Sequence, residues 1–328
     1  MEIERNPYPL VDLGSLALDD FHSNDVPMQR CLELAGVAAA TDLPILILGE
    51  SGTGKTLLAR AMHNSSKRSK GPFVSFNAAA LSDTLLDSQL FGHEKGAFTG
   101  ADHRVKGKFE LASGGTLFLD EIGDMSAVGQ AKILRAVEYG EFERLGSETI
   151  QVADVRVISA THFSLQTFIE AHRFRKDLFY RISGMTLTIP PLRERPNDLR
   201  SLMATEIALA SRKQGKRVTG LDVKASDHLL SHPWPGNLRE LSRVINAAVA
   251  LSQTEIIQAE AILFLVEKVA SPRSSAEPSS PTPAPDQNLK AMEQRHIRQT
   301  LEKVGGNKRQ AARLLGISRS TLDRKLRS

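Results

Sequence analysis

The chain has 328 residues, 41% of them hydrophobic, and carries a net charge of +4; that size and apolar content allow a sizeable core and two or more domains. A single cysteine, Cys31, excludes an internal disulfide. No apolar run approaches the ~20 residues of a membrane span, and the start lacks the basic and apolar segments of a secretory signal, so the expectation is a cytoplasmic protein without membrane insertion.

In chain order, the first buried-strand pattern is Pro44–Leu48. It runs into Gly49-Glu50-Ser51-Gly52-Thr53-Gly54-Lys55-Thr56 and a helical pattern over Thr56–Asn64. This is a P-loop in the context the motif needs, a strand before it and a helix after it. Glycines let backbone N–H groups turn inward around phosphates without Cβ clashes, and the helix N-terminus favours an anion. Lys55 is positioned for the β and γ phosphates and Thr56 for a magnesium ion.

Phe73–Phe76 reads as the second strand. Gly96-Ala97-Phe98-Thr99-Gly100-Ala101 is a small, flexible segment with one aromatic between glycines. Taken alone it fits a mobile tip with an exposed Phe98, or a turn with Phe98 tucked into the core. The strand Thr116–Leu119 ends in Asp120 and Glu121, which places two carboxylates at its C-terminal edge. Beside a P-loop, Asp120 suits the Mg²⁺ shell and Glu121 a general base acting on water; alone, the pair could as well be a strand followed by a helix-capping Asp. A helix over Ser126–Tyr139 and strands at Val155–Ala160 and Met185–Ile189 follow, the last closed by Pro190-Pro191. Strands alternating with helices predict an α/β unit with a parallel sheet. From about Asn197 to Val269 the pattern is helical only.

Ser271–Gln287 holds five of the fifteen prolines and no large apolar residue, so it reads as a semi-extended linker. The last forty residues carry eleven Lys or Arg against three Asp or Glu, a balance of +8 that leaves the rest of the chain at −4. That asymmetry points to a polyanion contact at the C-terminus. Lys308–Leu315 and Ser318–Arg327 read as two short helices joined at Gly316. The first has Ala311, Ala312, Leu314 and Leu315 on its apolar side; Ser318 is an N-cap for the second. This is a helix-turn-helix pattern, with Arg319, Ser320, Thr321, Arg324 and Lys325 as the groove-facing candidates; a basic hairpin for dimerisation is the other reading.

The stretch SQLFGHEKGAFTGADHRVKGKFELASGGTLFLDEIGD resembles the AAA+ domain of sigma-54-dependent activators, the bacterial enhancer-binding proteins, in which the six residues Gly96–Ala101 are the family signature. The resemblance runs from about residue 20 to 260 and into the C-terminus, where the pattern is similar to a Fis-type DNA-binding domain. It implies an AAA+ P-loop parallel sheet with a helical lid subdomain, plus a small all-α helix-turn-helix domain. The boundaries are 1–20 for a short N-terminal extension, 21–192 for the ATPase subdomain, 193–270 for the lid, 271–287 for the linker and 288–328 for the DNA-binding domain.

Functionally, the resemblance implies that ATP with Mg²⁺ drives the Gly96–Ala101 loop against the sigma-54 RNA polymerase holoenzyme, remodelling the closed complex, while the C-terminus binds enhancer DNA. It assigns Asn77 the holding of Glu121, and gives Arg175 and Arg181, in RFRKDLFYRIS, to a neighbouring subunit's γ-phosphate within a hexamer. Arg239, in WPGNLREL, becomes the sensor II arginine. One departure stands out: His162 lies where the family commonly has asparagine, and a neutral imidazole still donates or accepts one hydrogen bond. With only about twenty residues before the AAA+ domain, the expectation is a chain without a receiver domain, controlled by a trans-acting regulatory protein or by expression level. Two other functions fit less of the sequence: a DNA-binding regulator that binds ATP without remodelling polymerase, and a generic AAA+ chaperone or helicase.

Overall fold

A computed structural model of the chain describes residues 15–79, 82–263, 300, 307–314, 317, 321–322 and 325. The chain divides into two units, Met1–Ala270 and Ser271–Ser328. Strands of the first unit, in order, are β1 Ile45–Leu48, β2 Phe73–Asn77, β3 Gly92–His93, β4 Val105–Lys106, β5 Thr116–Asp120, β6 Glu141–Glu143, β7 Ile150–Val152, β8 Arg156–Thr161, β9 Met185–Thr188, β10 Gly220–Leu221 and β11 Ile256–Ile257.

Five of these form one parallel sheet in the order β2-β5-β8-β1-β9. The α/β expectation therefore holds. β1 starts one residue later than its apolar run, because Pro44 has no N–H to donate; its carbonyl still accepts from the Met185 N–H at 3.1 Å. Side chains alternate between the faces. Ile45, Ile47, Phe118, Ile158 and Ala160 pack under α1 (Val26–Ala39) and α2 (Lys55–Asn64). Leu46, Leu117, Leu119 and Val157 point the other way, under α3 (Asp83–Phe91), α4 (Lys108–Leu111), α5 (Ala127–Tyr139), α6 (Leu165–Glu170) and α7 (Lys176–Ile182). Cys31 lies in the first of these cores, where burial pushes its thiol up to about 11.

A third core belongs to the lid, where α8 (Pro196–Gln214), α9 (Val223–Ser231) and α10 (Asn237–Leu251) close around Trp234. The all-helical expectation for this region needs correction: β10 and β11 pair in parallel, Gly220 with Ile256 and Leu221 with Ile257. Strands of two residues are too short to leave a two-residue periodicity in sequence.

In the second unit, the helix Lys308–Leu314 buries Ala311 and Ala312. Asn307 caps it, its Oδ1 accepting the N–H groups of Arg309 and Gln310 at 3.2 and 3.3 Å. The Ile317 N–H returns to the Ala312 carbonyl at 3.1 Å, and Thr321, Leu322 and Lys325 are helical, with Leu322 buried. The linker 271–287 and Leu315, Gly316 and Ser318 lie outside the described residues. Among the described residues no helix is long and apolar enough to cross a membrane.

Candidate functional site

Residues 49–54 make the turn from β1 into α2, with Gly52 and Gly54 at φ 80° and 101°, a region open to glycine and costly for other residues. Thr53 closes the turn, its hydroxyl donating to the Glu50 carbonyl at 2.8 Å. The lid grips this turn from outside. The Leu238 N–H donates to the Gly52 carbonyl at 3.0 Å, and Arg239 donates to the Ser51 hydroxyl at 3.0 Å. Asn237, fully buried, donates to Glu50 Oε2 and the Ser51 carbonyl, each at 3.1 Å, while its Oδ1 accepts from Leu192. Arg193 adds a two-pronged contact to Glu50 at 2.6 and 2.9 Å, which holds that carboxyl below its ordinary value.

β8 lies between β1 and β5, so the P-loop and the two carboxylates sit at the ends of strands two positions apart. Lys55 is buried; its ammonium donates to the carbonyls of Gly49 and Glu50 at 2.9 and 3.3 Å and lies 3.7 Å from Glu121 Oε1. Glu121 adopts a left-handed backbone, φ 53° and ψ 48°. Its other oxygen, Oε2, is 2.7 Å from His162 Nδ1. Burial and then the neighbouring Glu121 charge push the Asp120 carboxyl above its ordinary value, with Lys55 pulling the other way. The Asp120 carboxyl and the Thr56 hydroxyl, both lining one cavity, are oxygen donors of the kind that suit a hard divalent cation.

That cavity, about 380 Å³ and partly open to solvent, brings together Ser51, Gly52, Gly54, Lys55, Thr56, Asp120, Glu121 and Arg239. Its size suits a nucleotide. Asn77 pairs with Asp120 in the sheet register, yet its Oδ1 accepts the Ala79 N–H at 2.8 Å; the Glu121 side chain is held by His162 instead. Arg175 forms a two-pronged pair with Asp177 at 3.0 and 2.7 Å, and Arg181 donates to the Glu138 carbonyl at 2.9 Å. Both are exposed and neither lines the cavity.

The segment Gly96–Ala101 is the tip of a hairpin whose stem pairs β3 with β4. The Gly96 N–H donates to the Ala101 carbonyl at 2.8 Å. Phe98 is neither free nor in the core: it is 37% exposed, with the His93 ring edge-on at 4.9 Å. Thr99 is exposed. A second hairpin, β6–β7, braces the stem. Arg144, 6% exposed, donates to Glu94 at 3.1 Å and to Glu110 on α4 (Lys108–Leu111) at 2.8 Å, and a Cβ on Gly146 would lie 2.8 Å from the Ala97 methyl. Sequence reasoning missed Arg144, Glu94, Glu110, Arg193 and Asn237. Of these, Asn237 left a signal in its place beside Arg239 in WPGNLREL, and Glu94 and Glu110 in theirs within the stretch SQLFGHEKGAFTGADHRVKGKFELASGGTLFLDEIGD; Arg144 and Arg193 left none. Of the groove-facing candidates, Thr321 and Lys325 lie on a helix and are half-buried; Arg319, Ser320 and Arg324 fall outside the described residues.

Comparison with known families matches residues 21–188 to the sigma-54 interaction domain, 193–279 to the AAA+ ATPase lid domain, and 288–328 to the Fis family of bacterial regulatory proteins. The transcriptional regulatory protein ZraR of Escherichia coli is 44% identical over 299 residues, 91% of this chain and 66% of ZraR. The Nif-specific regulatory protein of Enterobacter agglomerans is 43% identical over 89% of this chain and 56% of its own length. This chain thus spans under two thirds of both. Among solved structures, NtrX from Brucella abortus in complex with ATP superposes with a TM-score of 0.68 at 32% identity, covering 94% of this chain and 68% of NtrX.

Proposed function

The chain belongs to the sigma-54 activator family of AAA+ proteins, and from that premise we propose that it hydrolyses ATP to remodel the closed complex of sigma-54 RNA polymerase, anchored on enhancer DNA by its C-terminal helix-turn-helix unit. The observation that carries this reading is the meeting, in one cavity, of Lys55 and Thr56 with Asp120, Glu121 and the lid's Arg239. P-loop amides and Lys55 take the phosphates, and Arg239, already bonded to Ser51, couples the lid to them. Thr56 and Asp120 would hold Mg²⁺, which would supply positive charge to neutralise the phosphates. Glu121 accepts a proton from the attacking water.

Arg175 and Arg181, exposed and outside their own chain's cavity, are the groups a neighbouring subunit supplies, which makes the working form a ring, a hexamer in this reading. The Gly96–Ala101 tip, with Phe98 and Thr99, is the polymerase contact. Arg319, Ser320, Thr321, Arg324 and Lys325 are the DNA-facing set. The domains of this reading are 1–20, 21–192, 193–270, 271–287 and 288–328.

The test is transcription in vitro from a sigma-54 promoter with an upstream binding site, with ATP and with a non-hydrolysable analogue. Transcripts with ATP alone are expected. DNA binding and ATP turnover without transcripts would move the protein to the class of ATP-binding regulators that do not remodel polymerase.

A further inference from the structure

The nucleotide cavity has two unlike linings. One is polar, from Lys55 and Thr56 at the start of α2 and from Asp120 and Glu121 at the end of β5. The other comes from three helices, α2, α8 and α10, which bring Leu57, Leu202 and Leu238 to the wall. Leu202 and Leu238 also pack in the lid core, so the helices that carry them are fixed. Such an apolar lining suits the flat faces of a nucleobase. Each lid helix then presents a polar side chain one turn beyond its leucine: Glu206 after Leu202 on α8, and Ser242 after Leu238 on α10. Residues four apart share one helix face, about 6 Å apart along the axis. The two polar groups differ in what already holds them. The Ser242 hydroxyl accepts from Asn246 Nδ2 at 3.3 Å. Glu206 is half-buried, and among the described residues its carboxylate has neither a hydrogen-bond donor nor a cation within bonding distance.

We propose that Glu206 is a ribose-binding residue: with the base lodged among Leu57, Leu202 and Leu238, its carboxylate accepts hydrogen bonds from the 2′ and 3′ hydroxyls, so that the site selects ribonucleotides. This deepens, and rests on, the reading of the cavity as the nucleotide site. An ionised carboxylate has only acceptors, so whatever satisfies it must donate. Ionised phosphates offer no donor. The ribose offers two hydroxyls on adjacent carbons, which match the two oxygens of one carboxylate, and an acidic side chain takes a ribose hydroxyl in the same way in dinucleotide sites. A carboxylate half-buried beside leucines is poorly hydrated, so new donors displace little water from it. Its negative charge also disfavours phosphate at this wall. The phosphates are thereby left to Lys55 and the P-loop amides, and the nucleoside half to the lid.

The experiment uses the full chain and the variants Glu206→Ala, Glu206→Gln and Lys55→Ala, with calorimetric titration of ADP, 2′,3′-dideoxy-ADP and GDP. The parent chain is expected to bind ADP about ten-fold more tightly than 2′,3′-dideoxy-ADP, the size of a hydrogen bond to a charged group. Glu206→Ala should bind ADP about ten-fold more weakly and 2′,3′-dideoxy-ADP as the parent does, so that the preference disappears. A merely structural role would weaken both ligands alike. Glu206→Gln, which keeps one acceptor at nearly the same volume, should fall between the two. Equal binding of ADP and 2′,3′-dideoxy-ADP by the parent would overturn the proposal, as would a preference that survives in Glu206→Ala. A variant that loses its choice between ADP and GDP while keeping its preference for the ribose would also overturn it, because the carboxylate would then read the base. Should Glu206→Ala not fold, a full preference in Glu206→Gln still overturns it. ADP binding that is absent from the parent, or unchanged in Lys55→Ala, would instead overturn the nucleotide site itself, a separate failure.

Discussion

Two glycine-bearing segments, the P-loop turn and the Gly96–Ala101 tip, look alike in sequence and are built on different terms. Gly52, Gly96 and Gly100 all sit at positive φ, 80°, 83° and 95°. A Cβ on Gly52 would lie 2.3 Å from the Gly236 carbonyl oxygen of the lid, whereas a Cβ on Gly96 or Gly100 would meet nothing within 4 Å. In the P-loop, then, glycine answers to tertiary packing as well as to backbone conformation. In the tip it answers to conformation alone. The P-loop turn is clamped by the lid, whereas the space beside Gly96 and Gly100 is open.

Substitutions can break or sharpen this contrast. The largest effect is expected at Gly52→Ala, which must displace lid backbone as well as adopt a left-handed conformation; a loss of about 2–4 kcal/mol, read from the urea midpoint, should come with loss of nucleotide binding. Equal stability in Gly52→Ala and Gly100→Ala would remove the distinction. Asn237→Ala comes next. It leaves the buried Leu192 N–H without its acceptor and frees the Ser51 carbonyl, a cost of about 1–3 kcal/mol, with weaker nucleotide binding in a titration. Gly100→Ala has only its φ to oppose it, about 1–2 kcal/mol; thermal unfolding should show a small shift and ATP turnover none.

The smallest effect comes from acid. Arg193 holds the Glu50 carboxyl below its ordinary 4.5. A depressed carboxylate contributes stability that is present above 4.5 and lost as the pH falls through the lowered value. The pair is exposed, so water and salt weaken it. Between pH 5 and 3, Arg193→Ala should therefore lose less stability than the parent chain, and the two curves should differ less in high salt.

Much of the fold was legible because it is locally encoded. The runs at residues 44–48, 116–119 and 155–160 are apolar enough to be central strands, those at 73–76 and 185–189 form the sheet's partly exposed edge strands, and helical patterns between them leave a parallel sheet as the simplest outcome. The P-loop was legible because its eight residues are contiguous. What escaped was set by long-range contacts. Asn237 meets Ser51 across 186 residues of sequence, and His162 meets Glu121 across 41. Arg144 looked like any surface arginine, yet it is 6% exposed between Glu94 and Glu110. The strand pair β10–β11 left no periodicity to read.

By itself, then, the sequence determined the family, the P-loop, the paired carboxylates at the end of an apolar strand, and a basic helical C-terminus, because each is a short run whose backbone conformation and chemistry are carried by neighbouring residues. Only the tertiary structure decided that β8 enters between β1 and β5 and so brings His162, and not Asn77, to Glu121. It also decided that the lid clamps the P-loop through Asn237 and Arg239, and that Phe98 rests against His93. Those outcomes depend on strand order and on how separately folded surfaces meet, and neither is written in the spacing of residues along the chain.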